Sequence, residues 1–155
     1  NTRYPAILRT VGIDASARIG TMMLGGSQHH HYPSDCGAEL GFAAKYVKKN
    51  VYPVGAFSYL IENTGLTFIG TGYDWLVVNG GYFWLHGTGN YNGTDAYVFM
   101  VAGVDGSQKL GGDGIDRFRI QIWDAAGTLV YESEPGSLEW TPVFTPLGLG
   151  SITVH

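Results

Sequence analysis

The chain reads as an all-β protein, an antiparallel β-sandwich of jelly-roll or immunoglobulin-like general form with one extra N-terminal strand. Two observations predict this. Residues 117–123 alternate strictly, with Phe118, Ile120 and Ile122 on one phase and Arg117, Arg119 and Gln121 on the other. That is the period of a half-buried strand, and it expects the second set to face solvent. Short runs of this kind recur along the chain, separated by turn formers, and no segment shows the 3.6-residue period of a helix.

The first apolar run, at 4–11, holds Tyr4, Ile7 and Leu8 and stands before the regular pattern begins. It needs a partner strand, so residues 1–13 read as an arm, a candidate donor strand, and 14–155 as a single domain. A strand is expected at 17–24. The stretch 25–37, with His29, His30, His31, Pro33 and Cys36, reads as a long irregular loop. Strands follow at 38–48, where Leu40, Phe42, Ala44 and Tyr46 share a phase, and at 55–61, where Phe57, Tyr59 and Ile61 do. Two short strands, 66–71 and 75–78, are expected on either side of a turn at Gly72. Asn79-Gly80 and Asn92-Gly93 each sit between apolar runs and predict tight hairpins joining 75–78, 82–90 and 94–104. The last of these is apolar on both phases, which expects it at the centre of a sheet. Strands at 128–132 and 150–154 close the pattern, after a loop at 134–148 punctuated by Pro135, Pro142 and Pro146.

Composition narrows the function. Charged residues are 14% of the chain, against about 25% in an ordinary soluble domain. A surface built instead from Gly, Thr, Ser, Asn and Tyr repels neighbours weakly, which suits packing against copies of itself or against sugars. The net charge is −4 and the nine Lys plus Arg are scattered, which excludes a nucleic-acid partner of the usual basic kind. No run approaches the roughly 18 apolar residues of a membrane helix, so no membrane insertion is expected. The chain begins at Asn1, which suggests a processed N-terminus with a signal peptide removed and an extracellular or cell-surface location. The single cysteine, Cys36, allows no internal disulfide.

Several constellations are candidates for chemistry. Gly111-Gly112-Asp113-Gly114-Ile115-Asp116 fits one copy of a glycine-aspartate calcium nonapeptide, and Asp105 lies at the other end of the same loop. Asp105, Asp113 and Asp116 are therefore the candidate ligands for Ca2+, against a hairpin loop merely rich in turn formers. Imidazoles are common ligands for transition metals, but adjacent histidines in an extended segment point to opposite faces and rarely all converge on one ion, so His29, His30 and His31 read better as a solvated loop than as a metal site. No nucleophile elbow, zinc-protease motif or opposed carboxylate pair is present, and no enzyme activity is expected. Trp75, Trp84, Trp123 and Trp140 offer flat faces to sugar rings. Trp84 and Trp123 lie inside strand patterns and are expected in the core, leaving Trp140, in a proline-bounded loop, as the candidate carbohydrate-binding residue. Asn92-Gly93-Thr94 is a sequon that makes Asn92 a candidate glycosylation site, although the tight turn alone explains Asn-Gly.

The string Gly41-Phe42-Ala43-Ala44-Lys45-Tyr46, then Asn90-Tyr91-Asn92-Gly93-Thr94, then Asp116-Arg117-Phe118-Arg119-Ile120-Gln121-Ile122-Trp123-Asp124 with Leu129-Val130-Tyr131 and a closing Gly150-Ser151-Ile152-Thr153-Val154-His155, resembles the post-COAP domain over residues 41–155. The resemblance implies a secreted prokaryotic β-sandwich accessory module without enzymatic activity. Residues 1–36 depart from it, which points away from an appended accessory role and toward a building block. The expectation is a non-enzymatic extracellular structural subunit that self-assembles into a surface filament or layer by N-terminal strand addition. The rival is a carbohydrate-binding or cell-surface adhesion module, calcium-stabilised, with a polysaccharide as partner.

Overall fold

The computed structural model describes residues 14–23, 37–47, 51–61, 65–107, 113–134 and 152–154. They form nine strands and, among the described residues, no helix: β1 (Asp14–Met23), β2 (Gly37–Lys45), β3 (Phe57–Ile61), β4 (Leu66–Asn79), β5 (Tyr82–Tyr91), β6 (Thr94–Val104), β7 (Arg117–Trp123), β8 (Leu129–Glu132) and β9 (Ile152–Val154). All pairings are antiparallel, in the order β8-β7-β6-β5-β4-β3-β2-β1-β9. Every neighbour except β9 beside β1 is consecutive in the chain, so the sheet is a meander. Among the described strands its two ends are not joined by hydrogen bonds, and the sheet is open.

The expected phases account for the core. Leu40, Phe42, Ala44, Phe57, Tyr59 and Ile61 are all buried, as are Phe118, Ile120 and Ile122. In a flat sheet β3 and β7 would be four strand spacings apart, roughly 19 Å. The rings of Phe57 and Phe118 instead lie 6.4 Å apart and those of Phe42 and Phe118 6.2 Å apart. The sheet therefore curls until its inner face meets itself. Farther round, the Tyr59 and Tyr131 hydroxyls share a hydrogen bond of 2.7 Å between β3 and β8. Burial, reinforced by the nearby Tyr131 and then Glu132, pushes the Tyr59 hydroxyl well above the ordinary tyrosine range.

Curling needs local relief. Opposite β5, β4 carries register shifts between Gly70 and Gly72 and between Tyr73 and Trp75, which insert Thr71 and Asp74 as extra residues. Gly72, expected to end a strand, is instead part of a bulge, and the two short strands expected here are one bent strand of 14 residues. Beyond the end of β3, tyrosines bridge β4 to β2 and the residue after it: Tyr73 donates to the Ala43 carbonyl at 2.8 Å, and the Tyr46 hydroxyl accepts from the Leu76 N–H at 2.9 Å. The Asn92-Gly93 hairpin has positive φ at both residues, 50° and 93°, as a type I′ turn requires.

The polar phase of β7 departs from expectation. Arg119 and Gln121 are 2% and 6% exposed, so this interior strand is covered on both faces. The alternation gives the two phases but not what lies over the polar one. Arg119 is accommodated because Glu132 on β8 receives it in a fork, Nε to Oε2 at 3.0 Å and Nη2 to Oε1 at 2.7 Å, with Glu134 Oε1 at 4.0 Å.

Gly89 lies under the Phe68 ring, where an added Cβ would sit 2.4 Å from Cζ and 2.7 Å from the Ile69 carbonyl oxygen. Gly89→Ala is therefore expected to destabilise the protein by about 1–3 kcal/mol, read as a lower urea midpoint at unchanged slope.

Candidate functional site

Two regions gather polar or aromatic side chains that the core does not use. The first is the connection from β6 to β7. Asp105 is buried, and its Oδ1 accepts from the Ser107 N–H at 3.0 Å and the Ser107 hydroxyl at 2.6 Å. Asp116 Oδ1 accepts from the Gly106 N–H at 2.8 Å, and Gly114 donates to the Gly106 carbonyl at 2.9 Å. Both carboxylates thus secure the same turn from opposite ends of the loop, much as Asx residues commonly do. Asp113 is turned elsewhere: Oδ1 accepts from the Ile115 N–H at 3.1 Å and Oδ2 from Arg117 Nη2 at 3.1 Å. The structure therefore brings Asp105 and Asp116 to one turn and sets Asp113 against a guanidinium. Among the described residues no group of three or more His, Cys, Asp or Glu is placed to hold a metal ion.

The second region is the outer face of β4 and β5. On β5 the phase opposite the buried Phe83 and Leu85 carries Tyr82, Trp84, His86 and Thr88, all half-buried. The planes of Tyr82 and Trp84 are within 21° of each other, with centroids 6.2 Å apart. Trp75 stands directly opposite His86 in the β4–β5 register, and their rings stack at 5.2 Å and 11°. Asp74, the residue that the bulge inserts, places Oδ2 2.8 Å from His86 Nδ1. A carboxylate only accepts, so Nδ1 carries the proton of that bond. Alongside, the Thr71 and Thr88 hydroxyls meet at 3.3 Å.

This second region was not expected. Trp84 and Trp123 are half-buried on the outer phase and neither belongs to the core cluster. In Tyr82-Phe83-Trp84-Leu85 both phases are apolar, so alternation alone does not say which faces inward. Smaller inward residues, Gly87 and Gly89, follow on the Phe83 phase, and their fit beneath core rings is the available signal.

The remaining candidates divide simply. Asn92 is exposed at its turn, with Oδ1 accepting from the Thr67 N–H at 2.6 Å and its own N–H donating to the Thr67 carbonyl at 2.8 Å. Tyr4, Ile7, Leu8, His29, His30, His31, Cys36 and Trp140 lie outside the described residues.

No protein-family model matches the chain, and no curated protein or solved structure matches it. Geometry and sequence therefore carry the functional reading. The Arg117 hydrogen bond, followed by that from the Ile115 N–H, holds the Asp113 carboxyl below the ordinary aspartate range. A carboxyl depressed in the folded state contributes stability above its unfolded pKa and loses it as pH falls through the folded one. Any contribution of this pair is thus complete at neutral pH and lost only in acid. In an NMR titration, Arg117→Leu is expected to move the Asp113 midpoint upward.

Proposed function

We propose that the protein is a non-enzymatic extracellular structural subunit that assembles with copies of itself into a surface filament or layer. The observation that carries this reading is the open sheet. Among the described strands it ends on β8, a short strand on which Leu129 and Val130 are 47% and 38% exposed. An extended segment added to such an edge satisfies backbone donors and acceptors on both partners. In this reading residues 1–13, with Tyr4, Ile7 and Leu8, are the donated strand, and growth is head-to-tail because donor and acceptor surfaces differ. The two halves of the curled sheet serve as the two layers of a sandwich, consistent with the resemblance to post-COAP domains and with their secreted setting.

Light scattering and electron microscopy of the native protein are expected to show assemblies larger than a monomer. Removing residues 1–13 should leave monomers, and Val130→Lys, which puts a charge on the edge, should weaken assembly. A purely monomeric native protein, or assembly indifferent to the deletion, would overturn the reading.

Calcium enters this proposal only as a stabiliser of the loop bearing Asp105, Asp113 and Asp116. If it does so, saturation at about a hundred times the dissociation constant adds about 2.7 kcal/mol, visible as a chelator-dependent drop in Tm. An unchanged Tm removes calcium from the reading and leaves the assembly untouched.

A carbohydrate-binding module is the second reading, and the half-buried outer tryptophans favour it. Trp140 would take part from outside the described residues.

A further inference from the structure

We propose that the outer face of β4 and β5 is a binding platform for a neutral polysaccharide, with Trp84 and Tyr82 as its stacking surface and Asp74 as its hydroxyl acceptor. It rests on neither Trp140 nor the assembly described above.

The argument begins with the rings. Tyr82 and Trp84 project from alternate positions of one strand, both half-buried, with planes within 21° and centroids 6.2 Å apart. A sugar ring stacked on Trp84 would therefore lie nearly parallel to the Tyr82 ring as well. Pyranose rings have apolar C–H faces and hydroxyl-bearing edges, so an aromatic face beside hydrogen-bonding groups is the complement they require. Trp75, stacked on His86, extends the aromatic surface onto the neighbouring strand.

The polar groups are placed at the border of this surface. The Asp74 side chain is 48% exposed, and its bond to His86 fixes the carboxylate beside the rings. Thr71 and Thr88 put paired hydroxyls on the same side. A carboxylate accepts from vicinal sugar hydroxyls, while hydroxyls both donate and accept.

Charge selects among sugars. The sequences of β4 and β5 contain no Lys or Arg, and Asp74 is their only carboxylate. An anionic glycan, carrying uronate or sulfate, would meet the Asp74 carboxylate with no Lys or Arg on either strand to offset it. A neutral chain meets no such penalty.

The platform is also held rigidly, which limits the entropy lost on binding. Trp84 and Tyr82 alternate with the fully buried Phe83 and Leu85, and β5 is paired along both edges. The bulge that inserts Asp74 is part of the sheet's own curvature.

The test uses the full chain in affinity electrophoresis through gels containing hydroxyethylcellulose, galactomannan or soluble starch as neutral probes and polygalacturonate as the anionic one. Retardation by at least one neutral probe is expected, with little by polygalacturonate. Trp84→Ala should weaken it by about tenfold or more, the loss typical of a stacking anchor. Tyr82→Ser and Asp74→Ala should each weaken it less, and Trp84→Phe should restore part of it. Thermal melts of each variant separate lost binding from lost folding. No retardation by any neutral probe, preference for polygalacturonate, or retardation unchanged in folded Trp84→Ala would overturn the proposal. So would a Trp84→Ala variant that binds glycans normally but no longer self-associates, which would make this face a contact between copies.

Discussion

A single sheet with no helix over it, among the described residues, has to hide its apolar face against itself, and the rest of the architecture follows from how it does so. Phe57 stands at the meeting point, stacked on Phe99 at 4.8 Å and 14° and facing Phe118 at 6.4 Å. Offset aromatic pairs contribute about 0.5–1.5 kcal/mol each beyond the area they bury. Rings of this size leave no room for side chains on the backbone beneath them. Gly89 lies under Phe68, and an added Cβ at Gly103 would come within 2.3 Å of Phe83. The core is a matched set of large rings and missing side chains, so neither can change alone.

The same curvature shapes the outer surface. A strand that bends around a core must gain length relative to its neighbour, and β4 does so by taking up Thr71 and Asp74 against β5. These inserted residues are the ones found hydrogen-bonded on the outer face, Asp74 to His86 and Thr71 to Thr88. Inner packing and outer chemistry are therefore coupled through one irregularity.

Most of this fold was readable from the chain because turns and phases are local. Asn92-Gly93 specifies positive φ at both residues, and Leu40-Phe42-Ala44 or Phe57-Tyr59-Ile61 can bury only one face. The errors arose where the deciding partner is distant in sequence. Arg119 looked solvent-facing because its carboxylate partner is Glu132, 13 residues away on the next strand. Gly72 looked like a turn because glycine marks bulges as well as strand ends. The glycine and aspartate spacing points to Asp105, Asp113 and Asp116 as candidate calcium ligands, but spacing does not show that Asp116 caps Gly106 or that Asp113 faces Arg117. Both phases of the strand holding Trp84 are apolar, so its phase does not say whether it faces the core, and only the curl decides.

These assignments also explain how so few charges are distributed. Arg119 and Glu132 are enclosed together, and Arg117 is held by Asp113 at the mouth of the loop. Charges spent this way stabilise strand ends and loops but project little field, while β4 and β5 contribute no basic residue at all. With no basic residue on β4 or β5 and few charges in the chain, long-range steering is weak there. Such a surface is suited to recognition by contact, through ring faces, hydroxyls and open backbone edges. The strand proposed at β8 and the glycan proposed on Trp84 would both be recognised by contact, so either should tolerate salt that disrupts an electrostatic complex. On the proposed reading, the low charge content of the chain is what would let an exposed edge and an aromatic face approach their partners without repulsion.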